Sequence, residues 1–291
     1  MDWKKISFDE ITEYSDTPEK LSRSSDIRKK TSESIVREFD IEKWGPLVKI
    51  SKEISWSDHE RLNQESHYGL ENKLCLMDNQ IYLASAYEIS RSYVERSVSI
   101  LSEIYLRNNC NCIVELAAGY GRLLVPLTKA LSGYEIKKVC ALDFTKSSLE
   151  IINNIWDRSI CPLELAKVDL SDSSVEENVS MKSVEEDLKP LVFSSQGIMY
   201  VPKVSENFLS LTYSWPSGIF CFLEPSISET SVSRLKPLQE KYIEINDYNT
   251  NLGNFLRDSQ SKHKIKNLNQ DDDLISENAF LPLRRFSWEF N

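Results

Sequence analysis

The middle of the chain switches repeatedly between two hydrophobic patterns. Short apolar runs, which are typical of buried strands, occupy residues 113–116, 135–143, 163–170, 190–195 and 218–225. Between several of these runs, apolar residues recur every three or four positions and predict helices, as at 123–131 and 149–156. This alternation predicts an α/β fold with a doubly wound, mainly parallel sheet and helices on both faces.

Patterns on either side of these runs predict how the sheet begins and ends. Residues 85–106 carry a helical stripe that leads into the first strand, and a second stripe runs over 235–245. Residues 280–290 alternate apolar and polar, as the last edge strand of a sheet would. We therefore assign residues 85–291 to one α/β domain.

Residues 1–84 lack the alternation of strand and helix. They are polar, and their turns, such as Ser15–Pro18, predict short helices. The aromatic side chains of Trp3, Trp44 and Trp56 need a place to be buried, so we expect an ordered helical cap over the main domain and not a disordered tail.

Charge and hydropathy exclude several classes of partner. The chain has 35 Lys and Arg residues against 45 Asp and Glu residues, a net charge of −10, whereas proteins that grip nucleic acid are usually basic or carry a basic stripe. No apolar run approaches the length of a membrane helix, and the N-terminus lacks the apolar core of a signal peptide. We expect a cytoplasmic protein that binds neither nucleic acid nor membrane.

Cysteine and histidine give no sign of a metal site. The six cysteines do not form a disulfide framework, because the chain is long and several of them lie in strand-like runs. Cys110 and Cys112 have one residue between them and no second pair, and the three histidines are scattered. We therefore predict no bound metal.

The stretch 110–122 holds the most informative motif. An apolar strand breaks into a turn that contains Gly119 and Gly121, and a helical stripe follows, an arrangement that can present backbone N–H groups to a ligand. A dinucleotide-binding turn would place a third small residue where Leu124 stands. The spacing Glu115-x-x-x-Gly119-x-Gly121 instead resembles the first motif of the class I S-adenosylmethionine (SAM)-dependent methyltransferases. A glycine turn in another α/β protein is the alternative.

This resemblance implies a Rossmann-like methyltransferase fold with SAM as the cofactor. It covers roughly residues 110–225, and the pair Ala117-Ala118 departs from the usual Gly-rich opening. In that family the turn passes under the methionine part of SAM, so Glu115, Ala117, Gly119 and Gly121 are candidate cofactor-binding residues. A carboxylate suits the positive ammonium and sulfonium groups.

Acidic residues end two further strands. Asp143 lies 22 residues after Gly121, an offset that suits a carboxylate accepting hydrogen bonds from the two hydroxyls of a ribose, with Phe144 beside it. A plain helix-start acid is the alternative for Asp143. The resemblance implies that Asp169 and Leu170 hold the adenine.

The resemblance also suggests where the methyl group and the acceptor lie. It places the end of the fourth strand, with Ser195 and Gln196, beside the transferable methyl group. Glu224 and Tyr248 are candidate general bases, and the Asn-rich stretch 246–251 is either a pocket for a polar acceptor or a helix end.

The N-terminal segment adds candidates for the cofactor site. N-terminal segments of the class I fold often close over the ligand, so Tyr68 is a candidate cofactor-binding lid residue, with plain packing as the alternative. Arg91 either meets the carboxylate of SAM or lies on the surface.

We therefore expect an enzyme that transfers a methyl group from SAM to an oxygen or nitrogen by direct in-line displacement. The acceptor is a small polar molecule, such as a sugar or a natural-product precursor, or a peptide amide. A nicotinamide-dependent oxidoreductase and a non-catalytic scaffold of the same fold remain alternatives, and the oligomeric state stays open.

Overall fold

A computed structural model describes residues 3–14, 31–67, 72–171, 187–206, 208, 217–227, 234–249, 251–272 and 274–290. Its strands are β1 (Lys4–Ile6), β2 (Asn72–Met77), β3 (Gln80–Ser85), β4 (Cys112–Leu116), β5 (Lys138–Asp143), β6 (Leu163–Lys167), β7 (Pro190–Ser195), β8 (Gly218–Pro225), β9 (Lys266–Asp271) and β10 (Leu283–Phe290).

The α-helices are α1 (Phe8–Tyr14), α2 (Ser32–Val36), α3 (Gly45–Ser51), α4 (Glu60–Ser66), α5 (Ala86–Arg107), α6 (Leu124–Ala130), α7 (Lys146–Ile155), α8 (Lys236–Ile245) and α9 (Leu252–Ser261). A π-helix, Arg37–Lys43, joins α2 to α3, and short 3₁₀ turns lie at Trp56–Asp58 and Ile198–Tyr200.

A seven-stranded sheet organises the main domain. Its strand order is β6-β5-β4-β7-β8-β10-β9, in which β4 to β8 are parallel and β10 is antiparallel to both of its neighbours. The central parallel strands are buried on both faces, which explains their continuous apolar sequences. The predicted doubly wound, mainly parallel, Rossmann-like α/β fold is confirmed. Because strand order reverses between β4 and β7, a crevice opens at the carboxyl ends of these strands.

The expectation that residues 280–290 form the edge strand is wrong. β10 lies between β8 and β9, where the Trp288 ring stacks on Phe220 with centroids 4.9 Å apart and planes 4° apart. The true edge is β9, whose polar sequence and largely exposed side chains gave no strand pattern.

Each face of the sheet has its own core. On one face, α5, α6 and α7 pack residues such as Leu101, Leu127 and Ile151 against the strands. On the other face, Leu252 and Leu256 of α9 pack against the aromatic side chains of β8 and β10. The long helix predicted over 85–106 is confirmed as α5, and the Ser85 hydroxyl caps it by accepting a hydrogen bond from the Glu88 N–H.

The N-terminal segment contains the predicted short helices and also a small antiparallel sheet, in the order β1-β3-β2, that the sequence analysis did not predict. Asp78 and Asn79 join β2 to β3 with φ angles of 50° and 58°, the backbone of a two-residue hairpin turn. Backbone hydrogen bonds between Leu76 and Ser276 tie this sheet to the chain before β10. The division between residues 84 and 85 stays a prediction.

Three predicted absences can be compared with the described part of the chain. All six cysteines are free and buried. The described residues contain no group of three or more His, Cys, Asp or Glu side chains that could hold a metal ion. Across the described segments, every helix is too short or too polar to cross a membrane.

Candidate active site

A cavity of about 340 Å³ lies at the carboxyl ends of β4, β5, β6 and β7. Polar and apolar residues at the strand ends line it, together with Ile35, Phe39, Lys43 and Trp44 of the N-terminal segment and residues 199–202 after β7. Nine of the predicted site residues line this cavity, namely Glu115, Ala117, Gly119, Asp143, Phe144, Asp169, Leu170, Ser195 and Gln196.

The turn after β4 is built on left-handed backbone. The φ angles of Ala117, Gly119 and Gly121 are 54°, 52° and 76°. A Cβ on Gly121 would lie 3.2 Å from Ile152 Cγ1, so this glycine allows the turn to pack on α7 and is not part of the cavity wall.

The expectation that this turn offers free backbone N–H groups is wrong for three of its residues. The N–H groups of Ala118 and Gly121 donate to the carbonyl oxygens of Leu142 and Ala118. The N–H of Gly119 donates to Asp143 Oδ2 at 2.8 Å. These three N–H groups are therefore not offered to the pyrophosphate of a dinucleotide.

Asp143 joins this turn to the end of β5. Besides the bond from Gly119, its Oδ1 accepts hydrogen bonds from the Thr145 N–H and hydroxyl, each at 2.7 Å. Burial raises the pKa of Asp143, although these hydrogen bonds oppose the shift. The carboxylate stands on the cavity wall in a fixed orientation, with Phe144 next to it.

Two of the residues that line the cavity each have a buried polar atom without a hydrogen-bond partner. One is Oε2 of Glu115 and the other is Nε of Arg122, a residue that the sequence analysis did not select. The Glu115 carboxyl also accepts a hydrogen bond from the Leu124 N–H, and burial, with the nearby charge of Asp143, raises its pKa well above 4.5. An acceptor and a donor without partners are costly to bury, so the cavity suits a ligand that satisfies both.

Arg122 is held by an ion pair. Its Nη1 and Nη2 donate to Glu277 Oε2 and Oε1 at 2.8 Å and 2.5 Å, and Nη2 also donates to the Ser90 hydroxyl at 2.7 Å. Arg122 and Gln196 lower the pKa of Glu277 although burial opposes the shift. Arg91, by contrast, pairs with Glu95 on the exposed side of α5. Of the two alternatives for Arg91, the surface position therefore fits.

The residues after β6 form the far end of the cavity. Asp169 Oδ1 accepts hydrogen bonds from the Ser171 N–H and hydroxyl at 2.8 Å and 2.6 Å. Leu170 and Val168 add apolar surface beside it, and the Val168 N–H donates to the Asp143 carbonyl. An acidic group next to apolar side chains suits a flat polar ring.

The loop after β7 forms the opposite end. Ser195 Oγ and the Tyr93 hydroxyl are 2.6 Å apart, and Gln196, with φ 55°, donates from Nε2 to Glu277 Oε2 at 2.9 Å. A Cβ on Gly197 would lie 2.3 Å from the Ala117 Cβ, so the loops after β4 and β7 touch only because residue 197 is glycine.

Glu224, predicted as a general base, lies behind the cavity wall. Its Oε1 accepts hydrogen bonds from the Ser194 hydroxyl and the N–H groups of Gly197 and Ile198, and its Oε2 accepts one from the Met199 N–H. Burial raises its pKa to about 7 against these bonds. This geometry is that of a residue that supports the loop after β7. A general base would instead need a carboxylate oxygen that is open to the substrate.

Tyr248, the other predicted base, also stands outside the wall, behind Tyr200, with ring centroids 5.6 Å apart. The hydrogen bond with Tyr248 contributes, after burial, to a pKa of Tyr200 well above 10. Tyr68 lies outside the described residues.

Aromatic side chains that the sequence analysis did not select form the roof. Phe39 contacts Tyr200 edge to face with centroids 5.0 Å apart, and Trp44 packs against Tyr120 at 5.1 Å. Asp40 Oδ1 accepts a hydrogen bond from the Ser147 N–H, which fixes the π-helix over α7. The burial predicted for Trp44 was the only signal in the sequence for this roof.

The chain was compared with known proteins. No protein-family model matches it, and no curated protein does either. Among solved structures, a SAM-dependent methyltransferase from Anabaena variabilis is 14% identical over 80% of this chain and 93% of its own, with a TM-score of 0.44. PigF with SAH is 10% identical over 91% of this chain and 75% of its own, with a TM-score of 0.44. A geranyl diphosphate methyltransferase in complex with GPP and sinefungin is 8% identical over 67% and 76%, with a TM-score of 0.43.

Proposed function

We propose that the chain is a SAM-dependent methyltransferase that transfers a methyl group to an oxygen or nitrogen of a small acceptor. The observation that carries the proposal is that two residues lining the cavity, Glu115 and Arg122, each have a buried polar atom without a partner, Oε2 and Nε. An amino acid carries an ammonium, which matches the acceptor, and a carboxylate, which matches the donor. The methionyl part of SAM has both.

The rest of SAM fits the strand ends in order. Asp143 at the end of β5 would hold the ribose, and Asp169, Leu170 and Phe144 toward β6 would hold the adenine. This order follows the sheet, because β4, β5 and β6 are consecutive neighbours. Ser195 and Gln196 after β7, where the crevice continues, would then lie beside the sulfonium group.

SAM supplies an electrophilic methyl group, so the protein has to orient the acceptor and exclude water. When bound, SAM would supply the methyl group: the acceptor oxygen or nitrogen would form a bond to the methyl carbon, the sulfur–carbon bond would break with its electron pair going to sulfur, and the acceptor proton would leave to bulk water when the product is released. The aromatic roof between the glycine turn and the loop after β7 is the part of the chain that excludes water.

General base catalysis by Glu224 or Tyr248 is not part of the proposal. Glu224 already accepts four hydrogen bonds, and Tyr248 stands behind Tyr200. We propose that Glu224 is a positioning residue that holds the loop carrying Gly197 and Met199. Positioning accounts for catalysis without a base when the acceptor is a good nucleophile.

The oxidoreductase alternative is disfavoured by the glycine turn. A nicotinamide dinucleotide needs backbone N–H groups for its pyrophosphate, and those of Ala118, Gly119 and Gly121 donate within the protein. Leu124 also occupies the place of the third small residue and is fully buried. The scaffold alternative predicts that no nucleoside ligand binds.

Calorimetry with two ligands tests this assignment. S-adenosylhomocysteine (SAH) has the amino-acid group, and 5′-methylthioadenosine lacks it but keeps the adenosine. Glu115→Gln should weaken SAH binding by about tenfold, or about 1.4 kcal/mol, and leave 5′-methylthioadenosine binding unchanged. Equal effects on both ligands, or none on either, would contradict the placement of the methionyl group.

A further inference from the structure

We infer that the methyl acceptor is a neutral compound with a planar aromatic body, and not a sugar or a peptide amide. This inference rests on the proposed function and adds the class of acceptor to it. The juxtaposition that carries it is the roof of Phe39, Trp44 and Tyr200 over the β7 side of the cavity, where polar side chains already have partners.

The acceptor has to lie on the β7 side. The proposed cofactor covers the ends of β6, β5 and β4, and the next strand in the sheet is β7. Met199 and Tyr200 follow β7 and line the cavity, and Phe39 of the π-helix contacts Tyr200 from above. The roof therefore covers the space between the glycine turn and the loop after β7.

The rings of this roof are arranged edge to face. Phe39 and Tyr200 meet at an interplanar angle of 76°, and Trp44 and Tyr120 meet at 66°. Phe39 also packs on Trp44, with centroids 5.8 Å apart. A flat ring inserted among them gains contacts of the same kind, each of which contributes about 0.5–1.5 kcal/mol beyond area burial.

The asparagine side chains that could have bound a sugar instead form hydrogen bonds with the backbone. Asn249 Nδ2 donates to the Val201 carbonyl at 2.7 Å. Asn251 Oδ1 accepts from the Val204 N–H, and its Nδ2 donates to the Val204 carbonyl. These amides hold the chain after β7 in place, so at Asn249 and Asn251 the helix-end alternative fits and the pocket alternative does not.

Charged groups near the roof are also paired. Lys43 Nζ donates to Glu38 Oε1 at 2.7 Å and lies 4.0 Å from the centroid of the Phe39 ring. Arg122 pairs with Glu277. A polyhydroxylated or charged acceptor would lose water under the roof without gaining matched partners, whereas a neutral aromatic ring has little hydration to lose.

The local backbone gives the roof its shape. Residues 37–43 form a π-helix, a rare wide turn that occurs frequently at functional sites. Phe39 lies on this segment and faces Tyr200, while Ile41 of the same segment is 65% exposed. The two residues therefore make a matched test pair.

The test measures binding of 2-naphthol, a neutral planar aromatic alcohol, to protein saturated with SAH, with methyl β-D-glucoside as the comparison. We expect 2-naphthol to bind and the glucoside not to bind. Phe39→Ala should weaken 2-naphthol binding by about tenfold or more. Its SAH affinity should stay as in the wild type, and Ile41→Ala should change neither affinity.

The outcomes separate this inference from the proposed function. If SAH binds and 2-naphthol does not, or if the glucoside binds in its place, the aromatic acceptor is excluded while the cofactor assignment stands. Equal loss in Phe39→Ala and Ile41→Ala would also exclude it. If SAH itself does not bind, the proposed function fails and the acceptor class fails with it.

Discussion

The guanidinium of Arg122 forms a two-point ion pair with the carboxylate of Glu277, although 155 residues separate them in the sequence. Arg122 follows the glycine turn after β4, and Glu277 lies in the segment before β10. Their side chains are only 21% and 19% exposed. The pair therefore fixes the turn to a distant segment.

Replacing Arg122 by Lys keeps the charge and removes the planar fork. An ammonium cannot donate to both oxygens of Glu277 in this geometry or replace the Nε donor. We expect Arg122→Lys to lower the free energy of unfolding by about 1–3 kcal/mol and to weaken SAH binding by about tenfold. Chemical denaturation and calorimetry measure the two effects.

The control is Arg91→Lys, because Arg91 also pairs with a glutamate but is exposed on α5. Exposed pairs contribute little, so this variant should match the wild type in stability and in SAH affinity. If Arg122→Lys binds SAH like Arg91→Lys, the assigned role of Arg122 is refuted.

Gly197 is expected to tolerate no side chain. An alanine Cβ there would stand 2.3 Å from the Ala117 Cβ, so one of the two loops has to move. We expect Gly197→Ala to destabilise the protein by about 1–3 kcal/mol and to weaken cofactor binding. Gly133→Ala is the control, because a Cβ at Gly133 meets no atom within 4 Å. Equal melting temperatures for the two variants would contradict the close approach of these loops.

Asp143 and Asp157 allow a comparison of two aspartates with the same local hydrogen bonds. Asp157 Oδ1 accepts from the Ser159 N–H and hydroxyl, as Asp143 Oδ1 does from Thr145, but Asp157 is exposed and away from the cavity. In Asp143→Asn the amide oxygen can still accept the hydrogen bonds from Thr145. The new NH₂ group then faces the Gly119 N–H, so that two donors oppose each other. We expect about tenfold weaker SAH binding in Asp143→Asn and none of this loss in Asp157→Asn, measured by calorimetry. Unchanged affinity in Asp143→Asn would remove Asp143 from the site.

Glu224 should make stability depend on pH. Its folded pKa of about 7 lies above its ordinary value of 4.5, so the folded protein binds more protons than the unfolded chain between these values. The stability contribution is therefore complete below pH 4.5 and is lost as pH rises toward 7. Because one pKa unit corresponds to about 1.4 kcal/mol, the loss from this group is at most about 3 kcal/mol.

Glu224→Gln should abolish that part of the pH dependence. The amide oxygen can still accept from the loop, but the NH₂ group then faces the Met199 N–H, which we expect to lower stability by about 1–3 kcal/mol at low pH. Denaturation curves between pH 4.5 and 7 measure the slope. A variant whose stability falls with pH as steeply as the wild type would contradict the raised pKa of Glu224.

The sequence predicted the parallel part of the fold because its signals are local. β4, β5, β7 and β8 are buried on both faces and read as apolar runs, and Gly119 and Gly121 mark a turn with positive φ. The strand ends then placed Glu115 and Asp143 at one crevice. These features can be predicted from the hydrophobic period of each segment, the glycines that end a strand and the topology rules for parallel sheets.

The features that the sequence did not predict depend on contacts between distant segments. The polar segment β9 is a strand because it pairs with β10. Glu277 belongs to the site because it forms an ion pair with Arg122, and the roof forms where Phe39 contacts Tyr200. Glu224 ends a strand as Asp143 does, but the loop after β7 folds back over it and takes its oxygen atoms. No local pattern distinguishes these cases.

Calorimetric titration of the wild-type protein with SAH and, separately, with NADH tests the assignment of the cofactor. The geometry of Glu115, Arg122 and the occupied N–H groups of the glycine turn predicts micromolar binding of SAH and no binding of NADH. Binding of NADH without SAH would contradict the account in favour of an oxidoreductase, and binding of neither ligand would contradict it in favour of a scaffold.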